Sequence, residues 1–302
     1  MEVRTVNENK MNLFTSLDEN PKGFERTVKR LWNHNLSSPY WCFIIKEKGN
    51  IIGRVGFWAI NNDNKVARIF GLSLPWKSNK YIKTGEKLLK DSFRAMKDYG
   101  FVYIDSQLVS LDEKFLLNKR LYENIGMEVV QSKYRFKTTT QNYNYSANNR
   151  LSYKPIKDVG KDFFIEMIRK VTKKTLDSED IINIGKNGEL EAAQKHYDSL
   201  SSIEHSPENW FLAYNNSEVV GLIVPQILIN NNGAINYIGV VPEKRGNGYL
   251  IDLLDKGIRN LIKRNVNEII ADIDIENYPM KTALTKMNFE EKFNLINYRI
   301  KL

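Results

Sequence analysis

The residues with the clearest chemical potential lie in the segment Arg245–Tyr249, which contains two glycines. An apolar strand pattern precedes this segment and ends at Pro242, and a helical apolar pattern follows it. Unpaired backbone N–H groups at a helix start, together with the helix dipole, favour a bound anion. Gly246 and Gly248 let the backbone approach a phosphate without a Cβ in the way, and Arg245 supplies positive charge. The sequence therefore predicts a phosphate or pyrophosphate site here.

The helix that must carry this loop has a broad apolar stripe. Its members are Leu250, Ile251, Leu253, Leu254, Ile258, Leu261 and Ile262. Their spacing is typical of an amphipathic helix with one face in a core. A short strand pattern follows at Ile269–Ile273. A strand, a glycine loop, a helix and a second strand therefore follow one another in the order that a phosphate site requires.

A similar order of elements occurs twice along the chain. Residues 41–56 and 210–224 each read as an apolar strand, a Gly/Asn turn and a second strand, the pattern of a β-hairpin. In both halves a proline-terminated strand, a long helix, a strand and a short helix follow. The spacing between equivalents drifts from 168 residues (Gly53 to Gly221) to 162 (Gly126 to Asn288), as small deletions would produce. We interpret the chain as a duplication of a mixed α+β unit.

The midpoint of the chain is polar and carries no periodic pattern. Residues 138–150 are almost free of aliphatic side chains, which is typical of a linker or an exposed hairpin. The sequence thus predicts a first domain over residues 1–140, a linker over 141–150 and a second domain over 151–302.

Composition and charge narrow the function classes. The chain has 302 residues, one cysteine and three histidines, so the sequence predicts no disulfide and no metal site. The absence of a long apolar run and of a secretion signal predicts a cytoplasmic protein that does not enter the membrane. The net charge is +9, but residues 1–150 carry all of the excess. Because no nucleic-acid motif accompanies these lysines, we interpret them as a solvated face rather than a DNA or RNA surface.

The segment from Val240 to Leu250 resembles the acyl-CoA loop of the GCN5-related N-acetyltransferase (GNAT) superfamily, whose usual pattern is R/Q-x-x-G-x-G/A. Arg245 and Gly248 match its first and fourth positions, and Leu250 departs from its sixth. Asn277 with Pro279 and Met280, followed by Met287-Asn288-Phe289, is similar to a second family element. The order of elements matches over the C-terminal half and more loosely over the N-terminal half.

This resemblance implies an α+β fold with two tandem GNAT-like domains, each a mixed, mostly antiparallel twisted sheet with helices on both faces. It implies acetyl-CoA as co-substrate, with pantetheine along one strand, pyrophosphate on backbone amides of the loop, and a small-molecule or peptide amine as acceptor. The implied cofactor-binding residues are Ile238, Val240, Val241, Arg245, Gly246, Asn247, Gly248, Tyr249, Leu250, Asn277 and Met280. The acceptor and the oligomeric state stay open.

The two halves differ at the positions that the family uses. Family members often protonate the departing thiolate with a tyrosine, and Leu284 stands at that position in the C-terminal half. The N-terminal half retains the tyrosine as Tyr122, but Lys83 replaces the fourth-position glycine of its loop. The resemblance therefore implies a working C-terminal site and a degenerate N-terminal domain, in which Tyr122 is a packing residue. Tyr278 and Tyr298 are alternative proton donors.

Acidic residues alternate along the strand that follows the long helix. Strict alternation places Asp272, Asp274 and Glu276 on one face, which can be a solvated edge. In a GNAT-like sheet this strand borders the cleft, so Asp274 or Glu276 could attract a cationic amine or accept its proton. We therefore predict Asp274, Glu276 and Tyr278 as catalytic residues. The alternative, favoured by Leu284, is a regulatory protein that binds CoA without turnover.

Overall fold

The computed structural model of the chain describes residues 1–59, 65–141, 143, 145, 150–228 and 231–302. Two compact units divide it, one comprising Met1–Val130 with Leu295–Leu302 and the other Gln131–Asn294. The predicted linker at 141–150 lies partly outside the described residues, since 142, 144 and 146–149 are not among them.

The strands are β1 (Glu2–Thr5), β2 (Ser37–Glu47), β3 (Asn50–Trp58), β4 (Val66–Ser73), β5 (Tyr103–Val109), β6 (Glu128–Thr139), β7 (Ser152–Pro155), β8 (Phe211–Asn215), β9 (Glu218–Ile227), β10 (Gly233–Val240), β11 (Glu268–Asp274) and β12 (Glu290–Lys301). The α-helices are α1 (Met11–Thr15), α2 (Pro21–Asn33), α3 (Tyr81–Asp98), α4 (Phe115–Asn124), α5 (Ile156–Val159), α6 (Lys161–Val171), α7 (Ser178–Asn187), α8 (Glu189–Ile203), α9 (Tyr249–Lys263) and α10 (Tyr278–Lys286). Both predicted hairpins are present, as β2–β3 and β8–β9.

The first unit is a mixed sheet with helices on both faces. Its strands pair in the order β1-β2-β3-β4-β5, followed by the end of β12, and only β4 and β5 are parallel. One face packs apolar side chains of α3 and α4 into a core that includes Leu88, Leu89 and Leu121. The other face packs α1 and α2 through Phe14 and Val28. The amphipathic pattern of each helix explains this layering, because each has one apolar face to bury.

The second unit repeats this arrangement. Its strands pair in the order β7-β8-β9-β10-β11, followed by the Gln131–Thr139 part of β6, and β10 and β11 are parallel. Helices α9 and α10 pack on one face, where Leu253 and Ile258 are fully buried. Helices α5, α6 and α8 pack on the other face around Trp210. The predicted α+β class, with helices on both faces of a mixed sheet in each unit, is confirmed.

The compact units differ from the sequence halves in their closing strands. The predicted boundary at residue 140 assigns β6 to the first domain and all of β12 to the second. In the structure, β6 pairs antiparallel with β11 from Lys133 to Thr139, and β12 pairs antiparallel with β5 from Leu295 to Lys301. Each exchanged strand covers the exposed hydrogen-bonding edge of its partner strand, which an open sheet must protect.

The parallel strands of the second unit pair only at their beginnings. The register joins Gly233 to Ile269 and Ala234 to Ile270, and a bulge in β10 follows between Ile235 and Tyr237. Beyond these pairs β10 stays bonded to β9 alone, so β10 and β11 diverge toward their C-terminal ends. A bulge bends its strand and ends regular pairing, which explains why the gap opens at this point. None of the helices in the described ranges combines the length and apolarity that crossing a membrane requires.

Candidate functional site

The predicted phosphate loop joins β10 to α9, and its two glycines adopt left-handed backbone. Gly246 has φ of 81° and Gly248 has φ of 76°, a region that favours glycine, and Gly248 is the N-cap of α9. The N–H groups of Gly246, Asn247 and Gly248 donate no hydrogen bond within the described part of the chain. The first N–H groups of α9 lack intrahelical acceptors for the general reason that no turn precedes them. We call the free N–H groups of Gly246, Asn247 and Gly248 the free-amide cradle, and their grouping fits a phosphate group.

The divergence of β10 from β11 leaves a backbone edge beside the loop. From Tyr237 to Val240 the strand bonds to β9 on one side only. The half-buried Ile238 and the buried Val240 pack toward α9, and Val241 packs toward the α6 side. An extended pantetheine arm can therefore bond to this edge as an additional strand would. The predicted cofactor residues Ile238, Val240 and Val241 lie where such an arm would run.

The Arg245 side chain does not point its donors into the free-amide cradle. Its guanidinium donates to the carbonyl oxygens of Val240 (3.1 Å), Val171 (2.9 Å), Lys173 (2.9 Å) and Lys174 (3.0 Å). These bonds join the loop to the C-terminal end of α6, where carbonyl groups lack intrahelical donors. We therefore assign Arg245 a positioning role for the loop, in place of the phosphate contact that its charge suggested.

Asp274 holds the beginning of α7. Its buried carboxylate accepts from the Ser178 N–H (2.9 Å), the Ser178 hydroxyl (3.0 Å) and the Gln131 amide (2.9 Å). A carboxylate at a helix N-terminus is stabilised by the free N–H groups and the helix dipole. Asp177 caps the same helix by accepting from the N–H groups of Glu179 and Asp180. The segment between α6 and α7 is thus bonded at one end to Arg245 and at the other to Asp274.

The other predicted catalytic residues lie after the strand. Regular β11 ends at Asp274, and Glu276 stands in the following turn, so the predicted row of three carboxylates contains only Asp272 and Asp274. Asp272 forms a bidentate ion pair with Arg135 of β6 at 2.6 and 2.7 Å. Glu276 is exposed, and Tyr278 at the start of α10 is 62% exposed. Both remain candidates because their side chains are open to a substrate.

Several predicted cofactor residues shape the site through other contacts. The Asn277 side chain caps α10 by accepting from the Met280 N–H at 3.2 Å, and the Met280 side chain is buried in the core. Asn247 folds its amide back onto the Lys244 and Arg245 carbonyl groups. Tyr249 buries its ring and bonds Asn215, and Leu250 packs against the same core. For Tyr249 and Leu250 the group available to a ligand is therefore the backbone N–H.

Arg150 is a functional candidate that the sequence pattern missed. Its guanidinium bonds the buried Asp252 carboxylate at 2.7 and 2.8 Å, and its carbon lies 4.6 Å from the Tyr249 ring centroid. A Cβ added at Gly248 would lie 3.1 Å from Arg150 Nη2. Arg150, which is remote from the loop in sequence, therefore places an ion-paired guanidinium beside the start of α9.

A second missed group lies on the opposite face of β10. His196 of α8 places Nδ1 3.1 Å from Asp180 Oδ1 of α7, and its ring centroid is 4.1 Å from that of Tyr237. Burial raises the pKa of the Tyr237 hydroxyl well above its ordinary value, and the charges of Asp180 and Asp177 act in the same direction. Tyr237 is therefore a neutral hydrogen-bond donor over the physiological pH range.

The equivalent loop of the first unit has a different backbone. The N–H groups of Trp76, Ser78 and Tyr81 bond carbonyl oxygens within the loop, and the N–H of Lys80 bonds the Ser78 hydroxyl. No residue from Leu74 to Lys80, all of which are described, has positive φ. The loop therefore turns without the left-handed glycines that expose free donors at the second site, and Lys83 lies in the first turn of α3.

The tyrosines of the first unit are core residues. Tyr122 is fully buried, bonds Ser106 at 2.9 Å, and packs edge-on against Tyr298. Burial raises the pKa of Tyr122 to about 12. Tyr298 belongs to the first unit through β12 and is fully buried in its core. In the second unit Leu284 is fully buried within α10.

The comparisons with known proteins agree with this geometry. Residues 179–289 match the family model described as the acetyltransferase (GNAT) family. Mycothiol acetyltransferase of Catenulispora acidiphila is 23% identical over 109 residues, which are 34% of this chain and 35% of that protein. The chain thus spans about a third of the length of the curated relative that it matches.

Solved structures extend the likeness to the whole chain. A GCN5-related N-acetyltransferase of Sphaerobacter thermophilus superposes with a TM-score of 0.67 at 15% identity, covering 99% of this chain and 95% of the other. A tandem GNAT protein from the clavulanic acid biosynthesis pathway superposes with a TM-score of 0.58 at 10% identity, covering 99% and 98%. Residues 179–289 therefore resemble the GNAT acetyltransferase family, and the chain as a whole has a fold similar to that of a tandem GNAT protein.

Proposed function

We propose that the chain is an acetyl-CoA-dependent N-acetyltransferase whose single cofactor site lies in the second unit. The observation that carries this proposal is the cradle of free N–H groups at Gly246, Asn247 and Gly248, beside the unpaired edge of β10. Both features lie within the segment that matches the acetyltransferase family. In the loop of the first unit the N–H groups of Trp76, Ser78, Lys80 and Tyr81 bond within the loop, which supports one cofactor per chain.

In this proposal the chain's own residues orient the reactants. The loop amides and the start of α9 hold the pyrophosphate, with Arg150 adding positive charge. The edge of β10 holds pantetheine, so that the thioester lies at the gap between β10 and β11. Bound acetyl-CoA supplies the activated acetyl group, and a primary amine attacks its carbonyl carbon directly. An alkyl amine must first lose a proton, which costs about 4.6 kcal/mol at pH 7 for a pKa near 10.4.

A second candidate function is a regulatory role, in which the chain binds CoA without turnover. Leu284, fully buried where family members often carry a tyrosine, favours this candidate. Neither candidate requires a resident metal, and no group of three potential ligands suited to a metal occurs in the ranges that the structure describes.

The two candidates predict different results when an amine is added, because only the transferase then releases CoA thiol from acetyl-CoA. We expect the full chain to release CoA from acetyl-CoA when given at least one member of a panel of a polyamine, a free amino acid, an aminoglycoside and a peptide with a free N-terminus. Product mass spectrometry should find one added acetyl group on that amine. Tight acetyl-CoA binding with no release on any amine would contradict the transferase and favour the regulatory candidate.

A further inference from the structure

Helices α7 and α8 lie across the divergence of β10 and β11, on the face opposite α9. The beginning of α7 is bonded to the end of β11 through Ser178 and Asp274. On the other side of the gap, His196 of α8 packs against Tyr237, which follows the bulge in β10. The contacts of these two helices therefore place His196 and Asp180 over the gap where the proposed thioester would lie.

The geometry of the Asp180–His196 pair determines which ring nitrogen is available. The Asp180 carboxylate is buried and can only accept, so in neutral His196 the shared hydrogen is on Nδ1. Nε2 then presents its lone pair, and no described residue donates to it. The His196 side chain is 25% exposed, so part of the ring is open to solvent or to a substrate. This is the arrangement by which a carboxylate orients a histidine base.

We propose that His196 is the general base that takes the proton from the acceptor's ammonium group, with Asp180 as its positioning residue. This inference rests on the proposed acetyl transfer and names the group that makes the amine nucleophilic. Asp274 is the weaker candidate for that role, because it already accepts three hydrogen bonds that engage both of its oxygens. Tyr237 lies against the His196 ring and stays neutral, so it can donate a hydrogen bond beside the base.

The proton balance of the step is complete without another reactant. The ammonium group gives one proton to His196 Nε2, and the amine lone pair forms the new bond to the carbonyl carbon. The bond between that carbon and sulfur breaks, and the second proton of the nitrogen goes to the departing thiolate. His196 then releases its proton to solvent. The products are the acetylated amine, CoA thiol and one proton.

The charged groups around His196 favour a cationic acceptor. Asp180 of α7 contacts the ring, Asp177 at the N-cap of α7 acts electrostatically on the adjacent Tyr237, and Lys133 of β6 lies 3.9 Å from the Asp177 carboxylate. The guanidinium of Arg245, on the loop after β10, bonds carbonyl groups at the end of α6. The negative groups therefore lie on the α7 side of His196, where an ammonium group would approach.

The test compares His196→Gln and His196→Ala with His205→Gln in the full chain. His205 is exposed and packs against Trp210, so its variant is the matched control. With the amine that the wild type acetylates, we expect kcat to fall about 10²- to 10³-fold in both His196 variants, within the range that a general base contributes. The Kd for acetyl-CoA and the melting temperature should stay near wild type, and added imidazole should restore part of the activity of His196→Ala.

A spectroscopic readout tests Asp180 independently of turnover. The chain has three histidines, so ¹⁵N-labelled histidine gives a small set of ring signals that the His196 and His205 variants assign. We expect the His196 signal to show a proton on Nδ1 in the wild type and to lose that preference in Asp180→Asn. If the wild type transfers the acetyl group and both His196 variants keep the wild-type kcat, the assignment of His196 as general base is wrong and the proposed function stands. An inactive wild type would overturn the proposed function and this inference with it.

Discussion

Gly248→Trp is expected to weaken acetyl-CoA binding about a thousandfold, which corresponds to about 4 kcal/mol. Gly248 has φ of 76°, where a side chain is strained, and its Cβ would lie 3.1 Å from Arg150 Nη2. The indole ring would also extend from the N-cap of α9 into the space in front of the free N–H groups. Isothermal titration calorimetry on the full chain measures the effect.

Gly188→Trp is the matched control for this substitution. Gly188 is also a helix N-cap in the second unit, has φ of 78°, and has no atom within 4 Å of an added Cβ. We expect its acetyl-CoA affinity to stay within about threefold of wild type, since it places a strained side chain at positive φ away from the loop. Equal affinities in wild type and Gly248→Trp would show that the cofactor binds elsewhere.

Asp274→Ala is expected to lower the free energy of unfolding by about 2–4 kcal/mol, because the buried Gln131 amide and the half-buried Ser178 donors lose their acceptor. Its activity should fall as well, since α7 carries Asp180.

Asp272→Ala is the control on the same strand face. The Asp272–Arg135 pair is partly exposed, so its loss should cost at most about 1 kcal/mol. Urea unfolding of both variants measures the difference.

Asp274→Asn separates the positioning role from a catalytic one. The asparagine oxygen can take the place of Oδ2 and accept from the Ser178 N–H and the Gln131 amide, and the asparagine amide can donate to the Ser178 hydroxyl oxygen. We therefore expect Asp274→Asn to keep its activity within about tenfold of wild type. A loss of 10²-fold or more with unchanged stability would contradict this assignment and would return Asp274 to the role of general base.

The local features of the fold could be predicted from the sequence because each depends on neighbouring residues. The hairpin turns, the amphipathic helix α9 and the glycine loop all follow from periodicity and turn chemistry over short stretches. The exchange of β6 and β12 could not be predicted in this way. An antiparallel strand of that pattern can pair with either β5 or β11, and nothing in its own residues selects one partner.

The site was predicted less completely than the fold. Arg245 was assigned from its charge, but its partners are backbone carbonyl groups, which leave no trace in side-chain patterns. Asp180, His196 and Tyr237 come from two helices and a strand, so only the folded unit brings them together. The same holds for Gln131, which reaches Asp274 from the other half of the sequence.

The stoichiometry of acetyl-CoA binding tests the central claim most directly. Calorimetric titration of the wild-type chain should give one bound acetyl-CoA per chain. Lys83→Ala, which alters only the loop–helix junction of the first unit, should leave that value unchanged. Two bound molecules per wild-type chain would show that the first unit also holds a working site, and no binding at all would contradict the assignment of the Arg245–Leu250 loop.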